Sequence, residues 1–357
     1  MPHLAIVADD LTGANDTGVQ FRKFGLKTVV SLKTNPGEWV RDTEIIVVDT
    51  DSRAIEANQA AERVRGVCRM FAANDINNLY KKIDSTLRGN IGSEINAAFE
   101  EFQPRVAVIA PAFPKTGRNT VGGYQLLQGV PISMTEVARD PKTPVREAYI
   151  PKLLLEYGGT RLGTVPLQTV EEGVNAVAVA MRDLSARGQS WIVCDAASEN
   201  HLYHIAEAAG QFKKVLWVGC AGLAEQLVAV KRWGKKDAEP KEEMNCCTVV
   251  VAAGSVSETT RKQVLQYVAD AKAVNLILDP VAAIQEPASE GGRLSALAEP
   301  LLKEQNVVLS CSNENSVIEL AAATGAKAGF NAGEVGKRIA EAIGIAATEL
   351  VKKGADG

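Results

Sequence analysis

The sequence predicts an α/β protein with two domains, each a mainly parallel sheet flanked by helices. Short β-branched runs alternate with amphipathic stretches of helical period, a pattern typical of parallel strands joined by helical crossovers. Apolar runs such as RVAVIAPA (105–112) contain no alternating polar residues, which indicates strands buried on both faces. The length of 357 residues suits two domains of ordinary size.

The first domain is predicted to span residues 1–232. Its strands are short runs rich in Val, Ile and Leu, and stretches of helical period lie between them. Residues 111–151 interrupt this series with a segment rich in Pro and Gly. The strands are predicted at 3–8, 28–32, 44–49, 79–83, 105–110, 190–195 and 214–218. The helices are predicted at 14–24, 56–73, 89–102, 170–187, 199–211 and 221–233.

A charged segment without apolar period, residues 233–246, is predicted to link the two domains. The alternating pattern then restarts, so residues 247–357 are predicted to form the second domain. Its strands are predicted at 248–255, 274–279 and 306–312, and its helices at 258–271, 293–304 and 332–353.

Composition excludes several classes of protein. The net charge is −4 and no run of Lys or Arg is longer than two, which argues against a nucleic-acid partner. No apolar segment reaches the ~20 residues of a membrane helix, and no signal-like segment opens the chain, so a cytoplasmic protein is expected. The cysteines are expected to be buried thiols, and the pair His201 and His204 lacks further ligands for zinc, so no metal site is predicted.

The first polar segment that could carry chemistry is Asp9-Asp10-Leu11-Thr12-Gly13, directly after a predicted strand. Ligands of open α/β sheets bind beyond the carboxyl ends of the strands, where this segment is expected. Neighbouring residues of an extended segment point in opposite directions, so the two aspartates are expected to differ in role. Asp9 is predicted to be the structural partner, and Asp10 is predicted to contact a ligand.

The second such segment is YKKIDSTLRGNIGSEI, residues 80–95. It places Lys81, Lys82 and Arg88 beside the expected start of a helix, where cationic side chains and free amides favour an anion. Asp84 lies among them and is a candidate general base. An exposed turn held by salt bridges is the alternative.

Three further segments are weaker candidates. Asp49 and Asp51 form a D-x-D resembling the nucleophile motif of haloacid-dehalogenase phosphatases, but Arg53 stands where that motif needs Thr or Val. Arg53 at a strand end instead favours an anionic ligand, although a phosphatase remains an alternative. The segment DPKTP (140–144) lies in a long loop, which is usually functional. GSVSETT (254–260) is a possible phosphate-binding turn, and a plain helix cap is the alternative.

Together these segments resemble the four-carbon acid sugar kinases, a family first described as a domain of unknown function. The resemblance spans essentially the whole chain. It implies a first domain that binds the sugar acid, a second domain that binds ATP, and an active site in the cleft between them. The motifs that carry it, in family order, are ADDLTGANDTG (8–18), DSRA (51–54), KKIDSTLRGN (81–90), DPKTP (140–144) and GSVSETTRKQ (254–263).

The resemblance also implies the reaction and its residues. The γ-phosphoryl group of ATP moves to the terminal hydroxyl of an acid such as D-threonate or D-erythronate, with 3-oxo-tetronate as the alternative substrate. Phosphoryl transfer relies on positioning and charge neutralisation, so Mg²⁺ is expected, held largely by the ATP phosphates. Asp10 and Asp84 are the candidates for the catalytic base. A homodimer is possible. Residues expected to contact the substrate are Asp10, Arg53, Lys81, Lys82, Ile83, Asp84, Ser85 and Arg88, and those expected to contact the nucleotide are Gly254, Ser255 and Ser257.

The sequence departs from the family pattern at its end. Family members continue past the last predicted helix into a strand and a Gly-Gly loop that holds the ATP phosphates, whereas this sequence stops at Gly357. The nucleotide domain is therefore expected to be incomplete. This leaves open a sugar-acid-binding protein that is impaired in catalysis.

Overall fold

The computed structural model describes residues 2–34, 43–140, 142–233, 248–312 and 314–353. The chain divides into two compact units, Met1–Lys241 and Glu242–Gly357. Each unit contains a parallel sheet flanked by helices, which confirms the predicted fold class. Nearly all of the predicted linker, residues 234–246, lies outside the described residues.

The first unit is built on an eight-stranded sheet in which all neighbouring strands are parallel. Its strands, in chain order, are β1 (Leu4–Ala8), β2 (Thr28–Ser31), β3 (Ile45–Asp49), β4 (Leu79–Lys82) and β5 (Val106–Ala110), and then, after three strands of a separate sheet, β9 (Leu162–Val165), β10 (Trp191–Cys194) and β11 (Val215–Gly219). Across the sheet the order is β2-β3-β1-β4-β11-β5-β10-β9. The sheet thus places the end of β1 between the ends of β3 and β4.

Helices cover both faces of this sheet. One face packs against α1 (Leu11–Arg22), α6 (Val174–Ala186), α7 (Glu199–Ala209) and α8 (Ala221–Lys231). The other face packs against α2 (Ala57–Ala73), α3 (Ile91–Phe102) and α4 (Ile150–Gly158). Successive strand residues point to opposite faces, so Leu4 and Ile6 enter the first core and Ala5 and Val7 the second. Burial of the strands on both faces is as predicted.

The interruption at 111–151 contains structure that the sequence analysis missed. Strands β6 (Arg118–Val121), β7 (Tyr124–Leu127) and β8 (Val130–Pro131) form an antiparallel sheet. The turn between β6 and β7 is Gly122-Gly123, with φ of 60° and 78°, values that favour glycine. Asp195, buried at the end of β10, accepts hydrogen bonds from both glycine amides at 2.7 and 2.8 Å.

In the first unit, one predicted helix is divided in two. The stretch 170–187 is divided between α5 (Leu167–Glu171) and α6, because Gly173 between them has a φ of 102° and breaks the helical path. The short elements α4 and β9 were not predicted.

The second unit has a three-stranded parallel sheet in the order β12-β14-β13. The strands are β12 (Val250–Ala253), β13 (Val274–Ile277) and β14 (Val307–Ser310), and the helices are α9 (Glu258–Ala271), α10 (Pro280–Gln285), α11 (Pro287–Ala298), α12 (Asn315–Lys327) and α13 (Ala332–Lys352). The predicted helix 293–304 begins earlier, at Pro287, and α10 and α12 were missed. Gly291 lets α11 approach α13 closely, since a Cβ there would lie 2.8 Å from the Ala342 carbonyl.

The cysteines are free thiols where they are described, and three of these are buried as predicted, whereas Cys311 is half-buried. Cys68, Cys194 and Cys220 are buried free thiols, and burial raises the pKa of Cys68 to about 12. Cys246 and Cys247 lie outside the described residues. Among the described helices, none combines the length and apolar character needed to cross a membrane.

Candidate active site

The polar segments predicted at strand ends converge at one edge of the eight-stranded sheet. Asp9 and Asp10 directly follow β1, and its neighbours β3 and β4 end at Asp49 and Lys82. Because parallel strands end at the same edge, this edge collects side chains from segments far apart in sequence.

Arg53 joins the two aspartates that follow β1. Its Nε and Nη2 donate to Asp9 at 2.6 and 3.0 Å, and its Nη1 and Nη2 donate to Asp10 at 2.7 Å each. The Arg53 side chain is 16% exposed and that of Asp9 is 4% exposed, so water screens this fork little. Burial would lower the pKa of Arg53, but the hydrogen bonds and charge of Asp9 outweigh it and raise the pKa above its usual range.

Asp10 also begins α1. Its Oδ1 accepts a hydrogen bond from the Gly13 amide at 2.9 Å, so Asp10 is the N-cap of the helix. Both aspartates contact Arg53, and the capping residue is Asp10. The predicted division, with Asp9 as the structural partner and Asp10 as the ligand contact, stays a prediction. Asp10 is also the more accessible, with a side chain 24% exposed.

Lys82 lies beneath this helix start. The residue is 3% exposed, and a Cβ placed on Gly13 would lie 2.6 Å from both Lys82 Nζ and Asp10 Oδ1. In the part of the chain that the structure describes, Lys82 Nζ has no carboxylate within ion-pair distance. Asp16, the next acidic residue on α1, has a pKa raised by burial, and the charge of Lys82 opposes this rise.

Gly13 is expected to be intolerant of a side chain. Gly13→Ala should destabilise the protein, because the new methyl group displaces Lys82 or breaks the Asp10 cap, which is worth about 1 kcal/mol. Gly66 is the matched control: it lies inside α2 with no atom within 4 Å of an added Cβ. Gly66→Ala should stabilise the protein by about 0.5–1 kcal/mol. Urea unfolding of both variants measures the difference, and equal effects would contradict this packing.

Lys81 points to the opposite face of the sheet from Lys82. It is fully buried, with Nζ 2.8 Å from Glu94 Oε2 and 2.7 Å from the Lys82 carbonyl. Glu94 lies on α3 and also accepts from the Ser52 hydroxyl at 2.6 Å. The predicted contact of Lys81 with substrate is contradicted by this burial. The side chain of Ile83 is also buried in the core, so it too presents nothing to a ligand.

Asp84 is held by the residues that follow it. Its Oδ2 accepts from Arg88 Nε at 2.8 Å and from the Thr86 hydroxyl. Burial would raise the pKa of Asp84, but the hydrogen bonds and charge of Arg88, together with the charge of Arg53, hold it well below its usual range. A carboxylate with such a low pKa accepts a proton poorly, so Asp84 is better suited to positioning Arg88 than to catalysis as a base.

The low pKa of Asp84 makes a prediction for acid stability. In the native protein Asp84 stays ionised at a pH where the unfolded chain, with a pKa of about 3.9, takes up a proton. The stabilisation that ionised Asp84 gives the folded protein is therefore complete above about pH 5 and is lost as pH falls through 4 and below. The free energy of unfolding should fall more steeply between pH 5 and 3 for the wild type than for Asp84→Asn, by up to about 1.4 kcal/mol per pH unit. If urea unfolding gave the same pH dependence of the free energy of unfolding for both proteins, the prediction would be wrong.

Arg88 connects the site to the DPKTP segment. Its Nη1 lies 3.3 Å from Asp140 Oδ2, while Asp140 Oδ1 accepts from the amides of Lys142 and Thr143 at 2.9 and 2.8 Å. Ser85 is half-buried, and its carbonyl accepts from Gln125 on β7 at 2.7 Å. The antiparallel sheet and the long loop thus both contact the segment that follows β4.

A cavity of about 570 Å³ lies beside Arg53 within the first unit. Its volume is within the range of small-molecule sites, ~300–1,000 Å³. One side is formed by the loop after β3 and by the residues before α3, and the other by residues 142–147. The lining residues are Arg53, Ala54, Ile55, Glu56, Ala57, Leu87, Gly89, Asn90, Lys142, Thr143, Pro144, Val145, Arg146, Glu147 and Leu153.

The D-x-D segment forms a turn. Asp49 Oδ1 accepts from the Asp51 amide at 2.8 Å, and Asp51 has a φ of 45°. Arg63 of α2 donates to the carbonyls of Thr50 and Asp51 at 2.8 and 2.7 Å. These contacts give Asp49 the role of closing a turn.

In the second unit, the predicted phosphate-binding turn follows β12. Ser257 is the N-cap of α9 and accepts from the Thr260 amide at 3.1 Å, so its hydroxyl acts first as a helix cap. Ser255 lines a cavity of about 180 Å³ together with Arg261 and Ser312. Gly254 is not among the residues that line it.

The site of the first unit also contains residues that were not predicted. Glu94 and Asp195 hold the flanking segments, but no local motif marks their roles because their partners are distant in sequence. The cavity-lining Lys142 and Arg146 lie in or next to the DPKTP segment, whose length and prolines did indicate function.

Comparison with known proteins also divides the chain into two domains. Residues 4–227 match the family of sugar-binding N-terminal domains, and residues 250–357 match the family of nucleotide-binding C-terminal domains. D-threonate kinase of Salmonella typhimurium is 34% identical over 98% of this chain and 81% of its own length. D-erythronate kinase of Heliobacterium modesticaldum is 34% identical over 99% of this chain and 80% of its own length.

Among solved structures, a domain of unknown function from Bordetella bronchiseptica is similar over 99% of this chain and 82% of its own. The identity is 29% and the TM-score 0.57, and that protein is a domain-swapped dimer with bound citrate. Both of the relatives that are 34% identical are named kinases, and the chain matches the sugar-binding N-terminal and the nucleotide-binding C-terminal domain models. The chain therefore belongs to the four-carbon acid sugar kinase family and is a phosphotransferase.

Proposed function

We propose that the protein transfers the γ-phosphoryl group of ATP to the terminal hydroxyl of D-threonate or D-erythronate. The observation that carries this proposal is the fork of Arg53 between Asp9 and Asp10, beside a polar cavity of about 570 Å³. It holds two carboxylates next to a space that suits a small polyhydroxy acid. The activities named for the two relatives support these substrates.

Asp10 is the proposed contact for the hydroxyl that attacks. Its carboxylate is more exposed than that of Asp9, and Arg53 fixes its orientation. Asp10 accepts the proton from the hydroxyl, while the Lys82 ammonium offsets negative charge that develops nearby. Arg88 and the half-buried Ser85 border the same edge of the sheet and complete the proposed substrate contacts.

Asp10→Asn separates this chemistry from the capping role, because Asn is as good an N-cap as Asp. The variant should keep most of its stability and lose about 10²–10⁴-fold in kcat, the usual contribution of a general base. A variant with unchanged kcat would exclude Asp10 as the base. Thermal unfolding of the same preparation serves as the control.

The nucleotide is proposed to bind the second unit. Ser255 and Arg261 at the start of α9 offer a hydroxyl, a cation and helix amides, which fit phosphate oxygens. Gly254 and Ser257 shape this turn. Within the described residues no cluster of three or more His, Cys, Asp or Glu side chains could hold a metal ion. Mg²⁺ is accordingly proposed to bind mainly the ATP phosphates and water, where it neutralises charge during transfer.

The test is a panel of D-threonate, D-erythronate, L-threonate and 3-oxo-tetronate, incubated with the protein, ATP and Mg²⁺. Release of ADP measures turnover, and phosphorus NMR of the product identifies the hydroxyl that was modified. We expect turnover of D-threonate or D-erythronate with phosphate on the terminal carbon. Preference for 3-oxo-tetronate would make that acid the substrate in place of D-threonate or D-erythronate. Binding of an acid without turnover of any acid would instead support a catalytically impaired binding protein.

We also propose a homodimer, the commonest assembly of soluble oligomers. The domain-swapped dimer of the Bordetella bronchiseptica relative supports this assembly. Sedimentation analysis of the full chain would settle the state, and a monomer at assay concentration would contradict it.

A further inference from the structure

Among the cations predicted to contact the substrate, Arg53, Lys81 and Arg88 are already paired with carboxylates of the protein. Lys82 has no such pair among the described residues, but it is buried and does not line the cavity beside Arg53. Four hydrogen bonds commit Arg53 to Asp9 and Asp10, which leaves it no fork for a further carboxylate. Arg88 is paired with Asp84 and Asp140. A substrate anion needs a cation that the protein itself has not neutralised.

Two such cations line the cavity beside Arg53. Lys142 and Arg146 both line it, and in the described parts of the chain neither has a carboxylate within ion-pair distance. Two acidic residues also line the cavity, but Glu147 is paired with Lys152 at 2.6 Å. Glu56, on the opposite side, is the remaining carboxylate, so the unpaired charges of the lining (Lys142, Arg146 and Glu56) sum to about +1, which suits one monoanionic ligand.

The segment that carries these cations is held in place. Asp140 Oδ1 accepts from the amides of Lys142 and Thr143, and Asp140 Oδ2 contacts Arg88. Val145 is 5% exposed and packs in the core, and its amide donates to the Val137 carbonyl at 3.2 Å. Burial at Val145 and hydrogen bonds at Asp140 therefore fix the backbone on both sides of the cavity wall.

We propose that Lys142 and Arg146 bind the substrate carboxylate, so that the acid lies across the cavity with its terminal hydroxyl towards Arg53 and Asp10. This inference rests on the proposed function and adds the orientation of the substrate. The orientation explains why the carbon farthest from the carboxylate is phosphorylated. It also gives the DPKTP segment a role in selecting acids over neutral sugars.

The experiment compares Lys142→Ala, Arg146→Ala and the double variant with the wild type. Loss of one charge-assisted hydrogen bond should raise KM for D-threonate about 10- to 100-fold, with kcat nearly unchanged. KM for D-threitol, which has the same chain and no carboxylate, should not change. Arg146→Lys keeps the charge and should restore part of the affinity. Arg139→Ala is the matched control, an exposed arginine just before the segment that does not line the cavity.

Calorimetric titration of D-threonate into the same proteins, without ATP, keeps this test independent of turnover. If the wild type binds the acid but phosphorylates nothing, the proposed function fails while the site can still be judged from Kd. Wild-type Kd in Lys142→Ala and Arg146→Ala would overturn the inference. So would equal losses for D-threonate and D-threitol, because these would show a general change of shape instead of recognition of charge.

Discussion

Arg53→Ala is expected to unfold at markedly lower urea concentration than the wild type, with a loss of about 3–5 kcal/mol in the free energy of unfolding. This is the usual cost of removing one partner of a buried ion pair. It applies here because Asp9, with a 4% exposed side chain, would keep a charge that neither water nor a cation compensates. Displacement of Asp10 should also lower kcat/KM about 100-fold or more.

Two further variants sharpen this expectation. Arg53→Lys keeps a positive charge but cannot hold two carboxylates in a fork, so it should recover only part of the stability and activity. Arg65 pairs with Glu62 and Glu100 at the surface, and Arg65→Ala should cost less than about 1 kcal/mol. If both alanine variants lost the same free energy, the buried fork would not be the source of the effect.

Removal of either partner of the buried pair Lys81–Glu94 is the second change with a large expected effect. Lys81→Met and Glu94→Leu should each destabilise the protein by about 3–5 kcal/mol, since the remaining group stays buried without its counter-ion. The double variant Lys81→Met/Glu94→Leu should recover much of this loss, because apolar residues of similar volume often replace a buried pair at little cost. Urea unfolding of the four proteins forms a double-mutant cycle.

The same variants decide whether Lys81 has a role in binding. A structural pair predicts that KM for the sugar acid in the folded double variant stays within about threefold of the wild type. A large rise in KM, with wild-type stability, would restore the substrate contact expected from the sequence. Lys82→Met provides the contrast, because Lys82 lies under Gly13 and beside Asp10 and forms no ion pair with any residue that the structure describes.

The sheet of the first unit was largely predictable because strands buried on both faces leave continuous apolar runs. The runs at 3–8, 44–49 and 105–110 correspond to β1, β3 and β5 within one residue at each end. The antiparallel sheet was missed because its stability depends on a distant residue. Asp195 holds the Gly122-Gly123 turn across 73 and 72 positions of sequence, and local patterns carry no information about such a partner.

The location of the site was predictable, but the roles of its residues were predictable only in part. The sequence indicates that polar residues at strand ends meet at one edge, but Lys81 and Lys82 look equivalent in it. Their roles differ because successive strand residues point to opposite faces, towards α3 for Lys81 and towards α1 for Lys82. Similarly, the charge of Arg53 suggested an external anion, whereas the fold supplies two internal carboxylates.

The way in which segment 140–147 is attached has a consequence for divergence among related enzymes. Asp140 and the buried Val145 fix its backbone, while Lys142 and Arg146 are exposed, and their side chains form no ion pair with the described residues. Substitution of Lys142 or Arg146 is therefore expected to change the free energy of unfolding little, whereas a substitution in β4 or of Arg53 destabilises the fold. Acquisition of a new acid substrate is then expected to begin in this loop, by one or two substitutions on an unchanged sheet.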